Sequence, residues 1–534
     1  MAALPQASAR ALNRFPVPRI TGLIDLLEQH VHERPDAAAL IVTADRLRVS
    51  YRVLAGLVDD IAARLQSTGL RRGDVVGVIS ANTAEFVVAL LGAARGGLVV
   101  APLDPTLPRS QMSARLEGVG AQAILVGPPK SDAPRVALGR IPTWELRVDV
   151  CAGGIATVTL ETGRRVDRNV RGAATELSDD DALVLFTSGT TDMAKMVPLT
   201  HTNVAASVQN ICGTYDLGPG DATVAVMPLF HGHGLFAVLL ASLASGGCVL
   251  LPERGRFSAH TFWDDVRAAA ATWFSAVPTI HQILLDRAAR DYPGPEAVRL
   301  RFVRSCSAPL NVATAQTIER VLGAPVLSAY GMTETSHQAT SEQLPRRGPL
   351  KPGSVGQATG VDIRIVDDSG QPGPTGTVGE VWVHGPTVAR GYLLAPRATA
   401  DNFAEGWFRT GDLGSLDEHG YLFITGRIKN IINRGGEKIS PEHVEAVLAR
   451  CGGVTEAAVF AIPDATYGER VGAVVVSDDD SLTTKDILRD CRSELSPFEV
   501  PDRIEVVAAL PHTAKGALDR RAVEDRYAHP AALS

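Results

Sequence analysis

Short apolar runs recur along this chain, each followed by a polar loop and separated from the next by about the length of a helix. They fall at residues 75–79, 98–101, 123–126 and 182–186, and again at 223–227, 248–251, 273–277, 300–304 and 326–329. Runs of this length without alternation suit strands buried on both faces. Strand, helix and strand at such spacing form the parallel crossover unit. In the first unit, Asn82 with Glu85 three residues later predicts a capped helix, and Gly96-Gly97 closes it. Upstream, Leu23, Leu26, Leu27 and Val31 share one face of a helix expected over residues 21–32. Residues 130–176 are less regular and read as surface strands and a connector.

The pattern changes near Lys351. Residues 361–366, 379–384 and 421–424 alternate in steps of two, with turn residues between them, as in a small antiparallel sheet or barrel. It changes again at residues 426–429. Beyond them Ser440-Pro441 caps a helix, residues 454–462 and 471–476 read as strands, and 484–494 as a helix. With 534 residues, more than one core is expected. The fold class is α/β: a large N-terminal domain of packed α/β sheets plus a small β-barrel, then a small α+β C-terminal lid. The expected boundaries are 1–426, a hinge at 427–430, and 431–534.

A net charge of −7 argues against a nucleic-acid surface. The six cysteines are scattered singly, without metal spacing, which fits a reduced, cytoplasmic setting. The first twenty residues lack the basic region and apolar core of a signal peptide. The most apolar stretch, residues 234–244, is about half the length needed to span a bilayer.

Chemistry concentrates in the loops that follow the apolar runs. After residues 183–186 come Thr187, Ser188, Gly189, Thr190 and Thr191, and then Lys195. Hydroxyls, backbone N–H groups and one cation make a cradle for phosphate oxygens, and Gly189 permits close approach. The order is not that of the P-loop, and a polar turn after a strand reads the same way. Tyr330, Gly331, Met332, Thr333 and Glu334 offer an aromatic face, a flexible step, a hydroxyl and a carboxylate suited to Mg²⁺. Taken alone, that set is equally a plain strand-to-loop junction. Asp412 follows a tight turn at Arg409–Gly411, where it can accept ribose hydroxyls or cap its own backbone. Gly435, Gly436, Glu437 and Lys438 form a mobile loop after Arg434.

His231, His233, His281 and His337 lie in or beside these loops. They lack metal-ligand spacing. Donors or partial cations for a small anion are the better reading.

The segments TSGTT…K, YGMTE, FRTGD, GRIKN and NRGGEKISPEHVE occur in that order. Together they resemble the adenylate-forming acyl-CoA synthetases, the family that includes firefly luciferase and free-standing adenylation domains. The resemblance runs from about residue 21 to 521. It implies two half-reactions: a carboxylate attacks the α-phosphate of ATP to give acyl-AMP and pyrophosphate, and the thiol of coenzyme A then displaces AMP. Carried over by position, Thr187, Ser188, Gly189, Thr190, Thr191 and Lys195 would hold the triphosphate. Thr333 would contact the α-phosphate and Glu334 would hold Mg²⁺. Ser307, Ala308, Pro309, Tyr330 and Gly331 would form the adenine slot, and Asp412 and Arg427 would bind ribose. Lys429 would be the hinge, with Gly435, Gly436, Glu437 and Lys438 lining the pantetheine tunnel.

Five further segments, PLFHGHGL, AVPTIHQILLDR, RFVRSCSAPL, TETSHQATS and GPLKPGSVG, resemble the oxalate–CoA ligase branch. Oxalate is a small dianion, so one carboxylate reacts while the other must be paired. His231, His233, Ser305 and His337 are the candidates for that second carboxylate, as neutral donors or with one histidine protonated. A fatty-acyl-CoA ligase, a carrier-protein adenylation module and a non-catalytic nucleotide- or CoA-binding protein are the alternatives.

Two departures from the family pattern stand out. The phosphate loop continues Asp192, Met193, Ala194, Lys195, where the family usually has Gly, a basic residue, Pro and Lys. The C-terminal signature normally reads Gly-Lys-Leu-x-Arg. This chain has Gly516-Ala517-Leu518-Asp519-Arg520, so Ala517 occupies the position of the catalytic lysine. Impaired adenylation with surviving thioester formation is the expectation.

Overall fold

The computed structural model describes residues 17–42, 45–127, 141–163, 166, 176–187, 194–367, 369–477, 479, 481–512 and 518–528. Their strands assemble into five sheets. The largest has seven strands in the order 156–161, 143–150, 121–126, 75–79, 99–103, 181–186, 196–200. Its inner strands are parallel and its two outermost pairings antiparallel. The parallel strands Val75–Ile79 and Val99–Leu103 are buried throughout, as their unbroken apolar sequence requires. Helix Ala84–Arg95 between them is buried at every residue from Ala84 to Ala94, and it packs on both strands and on helix Tyr51–Ser67. A helix apolar on all sides belongs inside a core.

A four-stranded sheet orders residues 222–224, 248–250, 38–42 and 47–50. A five-stranded one orders 273–276, 302–305, 326–330, 340–341 and 357–358, the first three parallel. Residues 362–427 contribute a small antiparallel sheet, as the alternation predicts. The fifth sheet lies beyond residue 431, with Val454–Asp464 and Gly468–Ser477 paired antiparallel along their length. Helix Thr484–Glu494 begins and ends where its pattern places it, with Thr483 as its side-chain cap. No helix of the described residues is long and apolar enough to cross a membrane.

Several local expectations are corrected. The helix expected over residues 21–32 is formed only as Glu28–Glu33. The Asp25 carboxylate accepts from Thr21 N at 2.8 Å and Gly22 N at 3.1 Å, so a side chain takes backbone donors and the chain bends instead. Asn82 does not cap its helix; Thr83 stands at that position. The Asn82 amide instead donates to Ala225 O at 2.7 Å and Met227 O at 2.9 Å and accepts from Leu229 N. It ties the first sheet to the chain that carries the histidine loop.

The run at 223–227 is a strand only over Ala222–Val224. The apolar stretch after it winds as a wide, fully buried π-helix, His233–Leu240. Asp412 does not follow a turn. It lies within strand Trp407–Leu416, in a bulge between the Trp382–Arg409 and Glu380–Leu413 pairs, where Gly411 adopts φ +70. The loop at 435–438 is a tight β-hairpin: Arg434 pairs Glu437, and Gly435 and Gly436 turn at φ +61 and +100.

Candidate active site

Three strands deliver their C-terminal ends to one region. Phe302–Ser305 leads into Cys306, Ser307, Ala308 and Pro309, and Val326–Tyr330 leads into Gly331 and the 3₁₀ turn Thr333–Thr335. Asp181–Phe186 leads into Thr187. Gly331 is sterically demanded: a Cβ there would lie 1.6 Å from the His337 carbonyl oxygen.

The Thr187 N–H donates to Lys195 O at 3.0 Å, joining the two sides of the segment expected to hold phosphate, and the Thr187 Oγ1 is buried with no partner among the described residues. The return strand Met196–Thr200 pairs antiparallel with the strand before the loop. Ser188, Gly189, Thr190, Thr191, Asp192 and Met193 lie outside the described residues, as does Ala517. The Lys195 ammonium sits over the Tyr392 ring, 4.4 Å from its centre. The Tyr392 hydroxyl donates to Glu334 Oε1 at 2.8 Å. Burial pushes the Glu334 carboxyl up from its ordinary value, against the pull of that hydrogen bond and of Lys195. A cation at its other oxygen would favour the ionised form. The donor set, one buried carboxylate beside hydroxyls, fits Mg²⁺, which keeps most of its ligands as water and phosphate oxygen. Among the described residues no three His, Cys, Asp or Glu side chains are grouped to hold a metal by themselves.

Tyr330, Asp412 and Arg427 form one cluster. The Tyr330 hydroxyl donates to Asp412 Oδ2 at 2.7 Å, and Arg427 Nε meets Asp412 Oδ1 at 2.7 Å, with the two residues paired across adjacent strands. Asp412 is 2% exposed, and burial raises its carboxyl while Arg427 lowers it. Each carboxylate oxygen keeps a lone pair for a ribose hydroxyl. Lys429 lies in the 3₁₀ turn Ile428–Asn430, directly after that strand. Asn430 donates to Glu442 at 2.8 Å, and Arg520 holds both Glu442 and Glu445, so the turn is clasped by the C-terminal sheet's first helix.

The histidines converge as expected, around a residue that sequence reasoning passed over. Arg304 is fully buried. It donates from Nε to Tyr215 OH at 2.8 Å, from Nη1 to Ser275 Oγ at 3.0 Å and towards His233 Nε2 at 3.3 Å, and from Nη2 to His337 Nε2 and Gln338 Oε1, both at 3.0 Å. All these partners are neutral, and no carboxylate among the described residues pairs with it. The His233 and His337 rings stack with centres 5.3 Å apart. His233 Nδ1 lies 3.0 Å from Ser307 Oγ. Ser305, next in the strand, buries its Oγ with no partner among the described residues. His231 is half-buried and tilts against the Phe230 ring. Arg304 carried one legible signal: a charged residue in the segment 300–304, which reads as a strand leading into a polar loop.

A protonated histidine in this pocket is not supported. Burial drives His233 and His337 well below the ordinary histidine range, and the Arg304 charge lowers both further. Burial likewise brings His281 down to about 4. Such groups bind protons first in the unfolded chain, so stability is complete above about pH 6.5 and is lost as pH falls toward the folded value. Each contributes up to about 1.4 kcal/mol per pH unit in that window. His281→Leu should therefore lower the acid sensitivity of the thermal midpoint between pH 6.5 and 4 by one such contribution. An unchanged slope would mean that His281 is not held neutral.

The family model for AMP-binding enzymes matches residues 27–393, and that for the AMP-binding enzyme C-terminal domain matches residues 443–517. The chain is 41% identical over 516 residues to the oxalate–CoA ligase of Arabidopsis thaliana, covering 95% of this chain and 98% of that one. It is 37% identical over 524 residues to the oxalate–CoA ligase of Saccharomyces cerevisiae, covering 92% and 95%. The crystal structure of ATP-bound MatB from Rhodopseudomonas palustris superposes with a TM-score of 0.82 at 29% identity, covering 96% of this chain and 99% of that one.

Proposed function

The chain belongs to the AMP-binding enzymes and is an AMP-forming acid–CoA ligase, and we propose that its acid is oxalate, converted with ATP and CoA to oxalyl-CoA, AMP and diphosphate. The observation that carries this reading is the polarity of the side-chain cluster around Arg304. It buries His233, Ser305 and His337 beside the Arg304 charge, where an aliphatic tail would need apolar surface. The similarity to two oxalate–CoA ligases supports it.

In this reading Thr187, Ser188, Gly189, Thr190, Thr191 and Lys195 hold the triphosphate, and Thr333 touches the α-phosphate. Ser307, Ala308, Pro309, Tyr330 and Gly331 bound the adenine, and Asp412 with Arg427 binds the ribose. Glu334 holds Mg²⁺, which when bound neutralises phosphate charge. One oxalate carboxylate attacks the α-phosphorus and pyrophosphate leaves, while His231, His233, Ser305 and His337 orient the second carboxylate and keep it from competing. Residues 1–426 form the main body and 431–534 the lid, turning about 427–430 at Lys429. The hairpin of Gly435, Gly436, Glu437 and Lys438 then guides the pantetheine, whose thiolate attacks the acyl carbon and displaces AMP.

Pyrophosphate release with oxalate, malonate, acetate and octanoate tests the substrate. Oxalate is expected to give the highest kcat/KM. A preference for octanoate would transfer the chain to the fatty-acyl-CoA ligases. No response to any acid would favour nucleotide or CoA binding without turnover, the reading that Ala517 makes worth testing.

A further inference from the structure

Arg304 poses a problem that the reaction as described does not answer. A guanidinium is always charged, and burying one without a carboxylate costs several kcal/mol. Yet the described residues around it are Tyr215, Ser275, His233, His337 and Gln338, with the Cys306 thiol also against the guanidinium and His281 at the Arg304 backbone. All three nitrogens of the guanidinium have partners, and none of those partners is a carboxylate.

Arginine only donates hydrogen bonds, so the atoms facing it must accept. Arg304 Nη2 to His337 Nε2 at 3.0 Å therefore leaves the neutral imidazole with its proton on Nδ1. That Nδ1 has no partner among the described residues. On the other arm Ser275 Oγ accepts from Arg304 Nη1, which turns its own hydrogen to His233 Nε2 at 2.6 Å. His233 Nδ1–H is then the donor to Ser307 Oγ at 3.0 Å. Two hydrogen-bonded relays leave the same charge: one ends at His337 Nδ1–H, on the acid side in the reading above, and the other fixes His233 through Ser307, the exposed residue at φ +73 that this reading places beside the adenine.

We propose that Arg304 is the positioning residue that makes the acid pocket select a second carboxylate: it fixes the tautomers of His337 and His233 and supplies through them the positive charge that these histidines lack. The inference rests on the oxalate reading above. Arg304 does not touch the acid. At an effective dielectric of about 20, a charge about 7 Å from a carboxylate favours it by about 50-fold. The substrate's distal carboxylate is the missing counter-ion.

The test compares oxalate with glyoxylate, which has nearly the same size and one negative charge fewer. Each is titrated calorimetrically into the full-length protein saturated with α,β-methylene-ATP. The unmodified chain should bind oxalate about 50-fold more tightly than glyoxylate, Arg304→Gln should reduce that preference to within about 5-fold, and Arg304→Lys should retain an intermediate preference. A merely structural arginine would weaken both acids alike and leave their ratio unchanged; that result overturns the inference and leaves oxalate as substrate. Failure of the unmodified chain to prefer oxalate overturns the substrate reading and the inference with it. A second measurement needs no change at Arg304. In ¹⁵N-histidine-labelled protein, with His337 assigned through His337→Gln, the His337 ring should be neutral with its proton on Nδ1 at pH 7. A proton on Nε2 rules out acceptance from Arg304 and overturns the proposal even if the Arg304 variants do not fold.

Discussion

Replacing Ala517 by lysine is expected to raise pyrophosphate release with oxalate by about 100- to 1000-fold, the usual worth of one preorganised donor at developing charge. Attack on the α-phosphorus builds negative charge there, and the family pattern places a lysine at the Ala517 position to meet it. The flanks of that position are anchored: His512 and Leu518 form an antiparallel bridge, and Arg520 grips Glu445 through Nη1 at 2.8 Å and Nη2 at 2.6 Å. Thioester formation from preformed oxalyl-AMP should not change, because CoA attack occurs at the acyl carbon. Equal pyrophosphate release by the two proteins would show that another cation meets the α-phosphate.

Asp412→Asn is expected to weaken AMP binding by about 10- to 150-fold and to lower the thermal midpoint, since a charge-assisted hydrogen bond contributes about 1.5–3 kcal/mol. The carboxylate now faces a donor on each oxygen, Tyr330 OH at 2.7 Å and Arg427 Nε at 2.7 Å. An asparagine turns its NH₂ toward one of them, so donor meets donor beside a side chain that is 2% exposed. It also withdraws the charge that favours the ribose hydroxyls. Calorimetric titration with AMP reads the first effect and thermal unfolding the second. Unchanged AMP affinity with a lowered midpoint would assign Asp412 to the fold alone.

The parallel strands were legible because burial on both faces leaves unbroken apolar sequence. Val75–Ile79 is the example, a strand with the bounds that its composition predicts. Helix Thr484–Glu494 was legible because its cap and its periodicity agree. The missed features have a common cause. Asn82 carries the composition of a helix cap, and only the approach of Ala225, Met227 and Leu229 gives its amide better partners. Arg409–Asp412 has the composition of a turn, and only pairing with Gly379–His384 makes it a bulged strand. Gly435-Gly436 carries the φ > 0 signal of a hairpin, yet a short polar segment cannot announce the strands it joins.

The sequence by itself determined the parallel strands, the order of the segments proposed to meet phosphate, adenine and ribose, and the alanine at position 517, because each is a matter of local residue type and spacing. It also brought His233, Ser305 and His337 into consideration together. Only the tertiary structure decided their ionisation. Burial beside Arg304 keeps His233 and His337 neutral and transfers the cluster's charge to a residue 71 positions from one ring and 33 from the other. Charge state depends on what surrounds a group in space, and for Arg304 those surroundings come from Tyr215, Ser275, His233, His337 and Gln338, five positions that are scattered along the chain and meet only when it folds.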